Sequence, residues 1–70
     1  MVNNNLTKRE RDVLNSLCLG ESYKEIGAKL GIKPTMVVWH CQHIRDKFGA
    51  RSTLHAVCIA FRTGMVEMAR

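Results

Sequence analysis

Two copies of one helix-start pattern lie near the beginning of the chain, and they constrain its fold more than any other feature. Thr7 is followed three residues later by Glu10, and Ser22 is followed in the same way by Glu25. In such a capping box the hydroxyl accepts a hydrogen bond from the third helical amide, and the carboxylate accepts one from the amide of the capping residue. Apolar residues at helical spacing follow each pattern. The sequence therefore predicts two short consecutive helices.

Two further helices are predicted downstream. Pro34 suits the first turn of a helix because its missing amide hydrogen has no intrahelical partner there. Gly49 and Gly64 offer the left-handed residue that commonly ends a helix. The predicted helices span about 8–19, 23–30, 34–47 and 53–63. Because no strand alternation or repeat is found, we expect an all-α, four-helix domain over 6–70, preceded by a flexible linker at 1–5.

Apolar spacing predicts which side of each helix is buried. In the third helix the spacing i, i+4, i+7 and i+11 predicts a buried stripe of Val37, Cys41, Ile44 and Phe48. The other helices contribute Val13, Leu14, Leu17, Cys18, Ile26, Leu30, Val57, Ala60 and Phe61. Gly27 lies inside the second helix at a cost of about 1 kcal/mol relative to alanine, so we expect another helix to approach it closely.

Composition limits the classes of function. The 70 residues carry 11 Lys and Arg against 6 Asp and Glu, a net charge of +5. An acidic polymer is the natural partner of such a chain, nucleic acid first and an anionic membrane surface second. A chain this short has no room for a catalytic cleft, and no apolar run approaches the roughly 18 residues that cross a bilayer. We therefore expect neither an enzyme nor a membrane protein.

Cysteine and histidine residues do not predict a metal site or a nucleophile. Cys18, Cys41 and Cys58 are an odd, widely spaced set without a Cys-x-x-Cys pair, which favours core thiols in a reducing compartment. His40 and His43 share a helix face, but Cys41 points about 100° away. We expect no metal, no cofactor and no catalytic residue.

Positive charge concentrates around the second and third helices, which a glycine turn joins as in a helix-turn-helix. Lys24 is suited to contact a DNA phosphate. Gln42 is suited to hydrogen-bond a base edge, and Met36 or Val38 to contact a thymine methyl. Two alternatives stay open. The basic surface can be an ordinary solvated face, and Trp39 with its apolar neighbours can complete the core or an interface.

An extended pattern resembles the LuxR/GerE-type DNA-binding domain over nearly all of residues 6–66. It comprises Leu6-Thr-x-Arg-Glu10, Lys24-Glu-Ile26, Leu30-Gly-Ile32, Val37-x-x-His40, Ile44-x-x-Lys47-Phe-Gly49, Ala56-Val57 and Gly64-Met-Val66. The resemblance implies a four-helix domain that regulates transcription in bacteria. Helices two and three form its helix-turn-helix, and helix four dimerises. The implied partners are double-stranded DNA at an inverted repeat, a second copy of the chain and RNA polymerase, in the cytoplasm at the nucleoid.

Site residues follow from the same resemblance. Lys24 and Lys47 match family residues that meet the phosphate backbone, and the stretch from Val38 to Gln42 matches the groove-facing one. The aromatic residue before His40 is similar to the acyl-homoserine-lactone-sensing branch, which implies quorum sensing through a preceding ligand-binding domain. The predicted DNA-binding residues are Lys24, Lys33, Thr35, Met36, Val38, Trp39, Gln42, Arg45 and Lys47. The predicted dimer seam, on the side of helix four away from the core, is Leu54, Cys58 and Arg62.

Several positions depart from the family pattern. Lys33 and Met36 stand where the family has hydroxyl side chains, and Val38 replaces a commonly polar or basic residue. His43 replaces a common asparagine, and Thr53 a common basic residue. These departures keep a second function open, in which the helix-turn-helix is a protein-interaction module that modulates another regulator.

Overall fold

The computed structural model of the chain describes residues 6–64, which form four helices and no strand. The helices are α1 (Lys8–Cys18), α2 (Tyr23–Leu30), α3 (Pro34–Phe48) and α4 (Thr53–Arg62). The all-α prediction is confirmed, and every helix end lies within one residue of its predicted place. The predicted linker at 1–5 and the motif residues Met65 and Val66 lie outside the described residues. None of the helices in 6–64 has the length and apolar character that crossing a bilayer requires.

Three of the helices begin with a side-chain cap at the residue that the sequence predicts. The Thr7 hydroxyl accepts from the Glu10 amide at 3.1 Å, and the Glu10 carboxylate accepts from the Thr7 amide at 3.0 Å. Ser22 and Glu25 make the same reciprocal pair at the start of α2. Both capping boxes are therefore confirmed. At α4 the Ser52 hydroxyl accepts from the His55 amide.

The third helix lies at the centre of the domain and packs against the other three. Its predicted stripe is confirmed, because Val37, Cys41, Ile44 and Phe48 are all buried. Val13, Leu14 and Ile26 complete the core from α1 and α2. Leu17, Cys18 and Leu30, also predicted to be core residues, are only partly buried against it.

The core-facing side of helix α4 was predicted only in part. Ala56, Ile59 and Ala60 are buried, whereas Val57 and Phe61 are only partly buried at the edge. Positions 56, 59 and 60 share one side of a helix, and their two alanines let the α4 backbone approach closely. The prediction is confirmed for Ala60, whereas Val57 and Phe61 pack against the core only in part and the buried Ala56 and Ile59 were not predicted.

The cysteines are spread from the interior to the surface. Cys41 is buried, Cys18 is half-buried and Cys58 is exposed. The expectation of core thiols is therefore wrong for Cys58, which lies on the outer side of α4.

Gly27 is approached by backbone rather than by another helix. A Cβ atom at this position would lie 2.7 Å from the carbonyl oxygen of Ile32 and 3.4 Å from the nitrogen of Pro34. The expectation of a helix at this point was wrong. It is the turn between α2 and α3 that folds back over the glycine, and the Ile32 amide donates to the Gly27 carbonyl at 2.9 Å.

Candidate nucleic-acid interface

A tight turn fixes the relation between α2 and α3. Gly31 ends α2 in the left-handed region with φ +71, and Lys33 is extended before Pro34 begins α3. Ile32, between them, is half-buried and packs against the core. The Lys33 side chain makes no capping hydrogen bond, and the first turn of α3 carries no acidic residue. The entry to α3 is consequently free of the carboxylate that would repel a phosphate there.

The side of α3 opposite its buried stripe is a mixed apolar and polar surface. Met36, Val38 and Trp39 are large side chains with 42%, 43% and 47% of their surface exposed. Thr35 and Gln42 on the same helix are also exposed. We call these five residues the exposed face of α3. Trp39 is 47% exposed and does not complete the core.

Two histidine rings pack against the Trp39 indole. The centroid of the His43 ring lies 4.1 Å from that of Trp39, with the planes tilted by 48°. The His40 ring meets Trp39 edge-on, with centroids 5.1 Å apart. The sequence placed Trp39 and His43 one helical turn apart, which was the signal for this contact, but the pair was not predicted.

The predicted phosphate contacts fall into two groups. Lys24 near the start of α2 and Lys33 before α3 are exposed. Arg45 is half-buried, and its guanidinium donates to the hydroxyl of Thr53 on α4 at 3.0 Å. Lys47 is also half-buried and lies against α1. The amides that begin α2, considered beside Lys24 for a phosphate, are partly satisfied already by the Ser22 and Glu25 cap.

Lys47 forms an ion pair with Glu10 that joins the end of α3 to the start of α1. The ammonium lies 2.7 Å from Oε1 of Glu10, the oxygen that also accepts from the Thr7 amide. Glu10 is 4% exposed. Burial raises the pKa of the Glu10 carboxyl, but hydrogen bonds from Lys47 and Thr7, with the charges of Lys47 and His43, hold that pKa below its ordinary value.

His40 lies half-buried next to this ion pair. Its Nδ1 atom is buried without a hydrogen-bond partner. Burial is the largest effect on the pKa of His40 and lowers it. The charge of Glu10 raises this pKa, whereas the charges of Arg9 and His43 lower it, so the pKa of His40 is lowered overall. His40 therefore favours its neutral form in the folded protein.

Within residues 6–64, no three His, Cys, Asp or Glu side chains come together in a way that could hold a metal ion.

The predicted dimer residues share the outer side of α4. Leu54 is 73% exposed, the most exposed of the large apolar side chains in 6–64. Cys58 and Arg62 follow at intervals of four residues and are exposed as well. This strip lies away from the buried Ala56, Ile59 and Ala60, as expected.

A short helix, a glycine turn and a second helix with an exposed mixed face define a helix-turn-helix DNA-binding domain of the kind that transcription regulators carry. The comparisons agree with this class. The family model described as bacterial regulatory proteins, luxR family, matches residues 4–60, and the chain belongs to that family. It is therefore the DNA-binding domain of a transcription regulator and not an enzyme.

Relatives and solved structures are consistent with this assignment. The spore germination protein GerE of Bacillus subtilis is 35% identical over 63 residues, which cover 90% of this chain and 85% of GerE. The probable transcriptional regulatory protein NarL of Mycobacterium tuberculosis is 36% identical over 62 residues, 89% of this chain but only 29% of NarL.

The structure of the transcription factor GerE superposes with a TM-score of 0.86 at 28% identity, covering 91% of this chain and 96% of that one. The structure of VqmA bound to DPO gives a TM-score of 0.81 at 34% identity, covering 84% of this chain and 30% of that one. The chain is thus similar to a protein of about its own length and to segments of longer ones.

Proposed function

We propose that the exposed face of α3 enters the major groove of double-stranded DNA and determines which sequence the domain binds. The carrying observation is that this helix buries one stripe completely while Trp39, Val38 and Met36 stay exposed opposite it. Gln42 beside them can donate to and accept from a base edge, and apolar side chains can contact a thymine methyl. Thr35 lies at the entry of the same helix.

Basic side chains around α2 and α3 are assigned to the phosphate backbone. Lys24 and Lys33 are exposed and can each neutralise a phosphate, which releases counterions and favours binding. Arg45 and Lys47 complete the proposed set.

The domain is proposed to bind as a homodimer on an inverted repeat. The exposed strip of Leu54, Cys58 and Arg62 supplies the contact between two copies, because an isologous helix pair needs an apolar strip that the core does not use. Two recognition helices related by a two-fold axis meet half-sites about one helical turn apart.

The proposal also covers the longer protein to which the domain belongs, its place in the cell and a further partner. The chain spans 29% of the length of NarL, which supports a sensor domain in a longer regulator. Trp39 directly before His40 supports the quorum-sensing branch. We propose a place in the bacterial cytoplasm at the nucleoid, with RNA polymerase as a further partner.

Selection of bound duplexes from a random DNA pool tests the function directly. The expected result is an inverted-repeat consensus whose affinity falls as salt rises. Gln42→Ala should relax the preference at one base position in each half-site, while the affinity for unrelated duplexes stays unchanged.

A second candidate function is a protein-interaction module, which the exposed Met36, Val38 and Trp39 favour. It predicts no enriched sequence and no salt-dependent binding to DNA near physiological ionic strength. An enriched consensus that Gln42→Ala leaves unaltered would show that Gln42 makes no base contact.

A further inference from the structure

Trp39 and His43 form a ring pair on α3 whose geometry limits the motion of an exposed indole. The two residues are four apart, so their side chains meet on one side of the helix. Their ring centroids are 4.1 Å apart and the ring planes are tilted by 48°, so the two rings are in direct contact. His40 adds an edge contact at 5.1 Å. The tryptophan, of which the sequence has one, is thus held by two imidazoles.

His43 connects this pair to the interior of the fold. It is half-buried, whereas Trp39 has 47% of its surface exposed. Its charge acts on the buried Glu10 carboxylate, which Lys47 and the Thr7 amide hold in place. His43 is therefore the less exposed member of the ring pair.

Holding the indole in one orientation matters for recognition. A large exposed side chain that turns freely loses that freedom when it contacts a partner, and the loss weakens binding. A ring already packed against its neighbour loses less. Such a ring also presents the same edge each time, which makes its contact selective.

The neighbours of Trp39 indicate which group it contacts. Met36 and Val38 are exposed beside it, so this part of α3 is apolar. Along the major groove the base edges carry hydrogen-bonding groups, and the C5 methyl of thymine is the one apolar group among them. An apolar ring on the recognition helix therefore matches thymine better than any other base.

We propose that His43 is a positioning residue that holds the Trp39 indole in place so that the indole contacts one thymine methyl in each half-site. This inference rests on the proposed function, since it requires α3 in the major groove. His43 itself acts through Trp39 and needs no contact with DNA.

The first arm of the test measures how fast the Trp39 indole moves in the chain without DNA. Time-resolved fluorescence anisotropy reports Trp39 alone. His43→Asn, which removes the ring, should increase fast local motion of the indole, and His43→Phe, which keeps a ring, should restore the slow motion. Circular dichroism checks that both variants keep the helices.

The second arm replaces each thymine of the selected duplex by uracil, one position at a time. Uracil pairs as thymine does but lacks the methyl group. At one position per half-site the wild-type chain should lose about fourfold in affinity, the change expected for one buried methyl. At that position Trp39→Ala should lose no affinity when thymine is replaced by uracil. His43→Asn should lose less than twofold, and His43→Phe should lose about as much as the wild-type chain. Leu19→Ala, at an exposed leucine outside α3, is the control that keeps the uracil effect.

The outcomes separate the two proposals. If the wild-type chain enriches no sequence from the pool, the proposed function fails and this inference fails with it. If the wild-type chain binds its consensus but no uracil position is sensitive, or His43→Asn keeps the full uracil effect, only this inference is overturned. An indole in His43→Asn that moves as slowly as in wild type also overturns it.

Discussion

The ammonium of Lys47 lies 2.7 Å from the buried Oε1 of Glu10, and this bond ties α3 to the first turn of α1. The same oxygen accepts from the Thr7 amide, so one carboxylate both caps α1 and holds the end of α3. Lys47, which resembles a phosphate contact in the sequence, is thus part of the framework that holds α3 against α1.

Glu10→Gln should lower the free energy of unfolding by about 1–3 kcal/mol, because it removes the charge that Lys47 meets in a place largely shielded from water. Urea unfolding followed by circular dichroism measures the change. Glu25→Gln is the matched control, since Glu25 makes the same capping bond in an exposed site. It should cost less than about 1 kcal/mol. Equal losses in the two variants would contradict a stabilising role for the ion pair.

His40 makes the stability of the domain depend on pH. Because its pKa is lowered in the folded state, the unfolded chain takes up the proton at a higher pH than the folded chain does. The stabilisation is therefore present above the ordinary histidine pKa of about 6.5 and is lost as the pH falls toward the folded value. The pKa of Glu10 is lowered too, below the ordinary carboxyl range, so its loss of stability comes at a lower pH.

Replacing His40 by phenylalanine removes this dependence, so His40→Phe should flatten the slope of unfolding free energy against pH between about 7 and 5. Urea titrations at several pH values measure the slope for each protein. A slope as steep as in wild type would assign the proton uptake to another group.

Gly27→Ala should destabilise the domain, although alanine favours a helix by about 1 kcal/mol over glycine. The added Cβ would lie 2.7 Å from the Ile32 carbonyl oxygen, which is backbone and part of the turn. Forcing the turn away should cost about 1–3 kcal/mol net. Ala28→Gly, at the exposed neighbouring position, is the control and should lose only about 1 kcal/mol. Thermal unfolding compares them, and a stabilised Gly27→Ala would show that the turn gives way easily.

Local signals predicted the helices well, because a cap such as Thr7 with Glu10 is complete within one turn of chain. The α3 stripe was equally predictable from its regular spacing. The α4 face was predicted only in part: Ala60 was expected in the core, whereas Ala56 and Ile59 were missed because the large side chains of Val57 and Phe61 are close to them in the sequence.

Contacts between distant residues were also missed. Glu10 and Lys47 are 37 residues apart, and nothing local in either segment indicates the other. The oxygen that covers Gly27 belongs to a turn whose path depends on how α2 and α3 pack. The ring pair of Trp39 and His43 was within reach of the sequence, since i, i+4 spacing brings side chains together.

Lys24→Ala should weaken binding to all duplexes alike and reduce the slope of log affinity against log salt by about 1, because one phosphate contact is removed. Lys24 is a better test than Lys47, whose replacement would also break the ion pair with Glu10. Fluorescence titrations at several salt concentrations, with consensus and scrambled duplexes, measure both quantities. An unchanged salt slope would show that Lys24 lies away from the phosphates.

Leu54→Asp should separate the two copies of the domain on DNA. Leu54 is 73% exposed, so a charge there is harmless to the single domain but unfavourable in an apolar contact between two α4 helices. Sedimentation of the chain on an inverted-repeat duplex should show cooperative binding of two copies by wild type and independent, weaker binding by the variant. Leu19→Asp, at a second exposed leucine directly after α1, is the matched control and should behave as wild type. If Leu54→Asp filled both half-sites as cooperatively as wild type, the dimer contact would have to lie elsewhere than on α4.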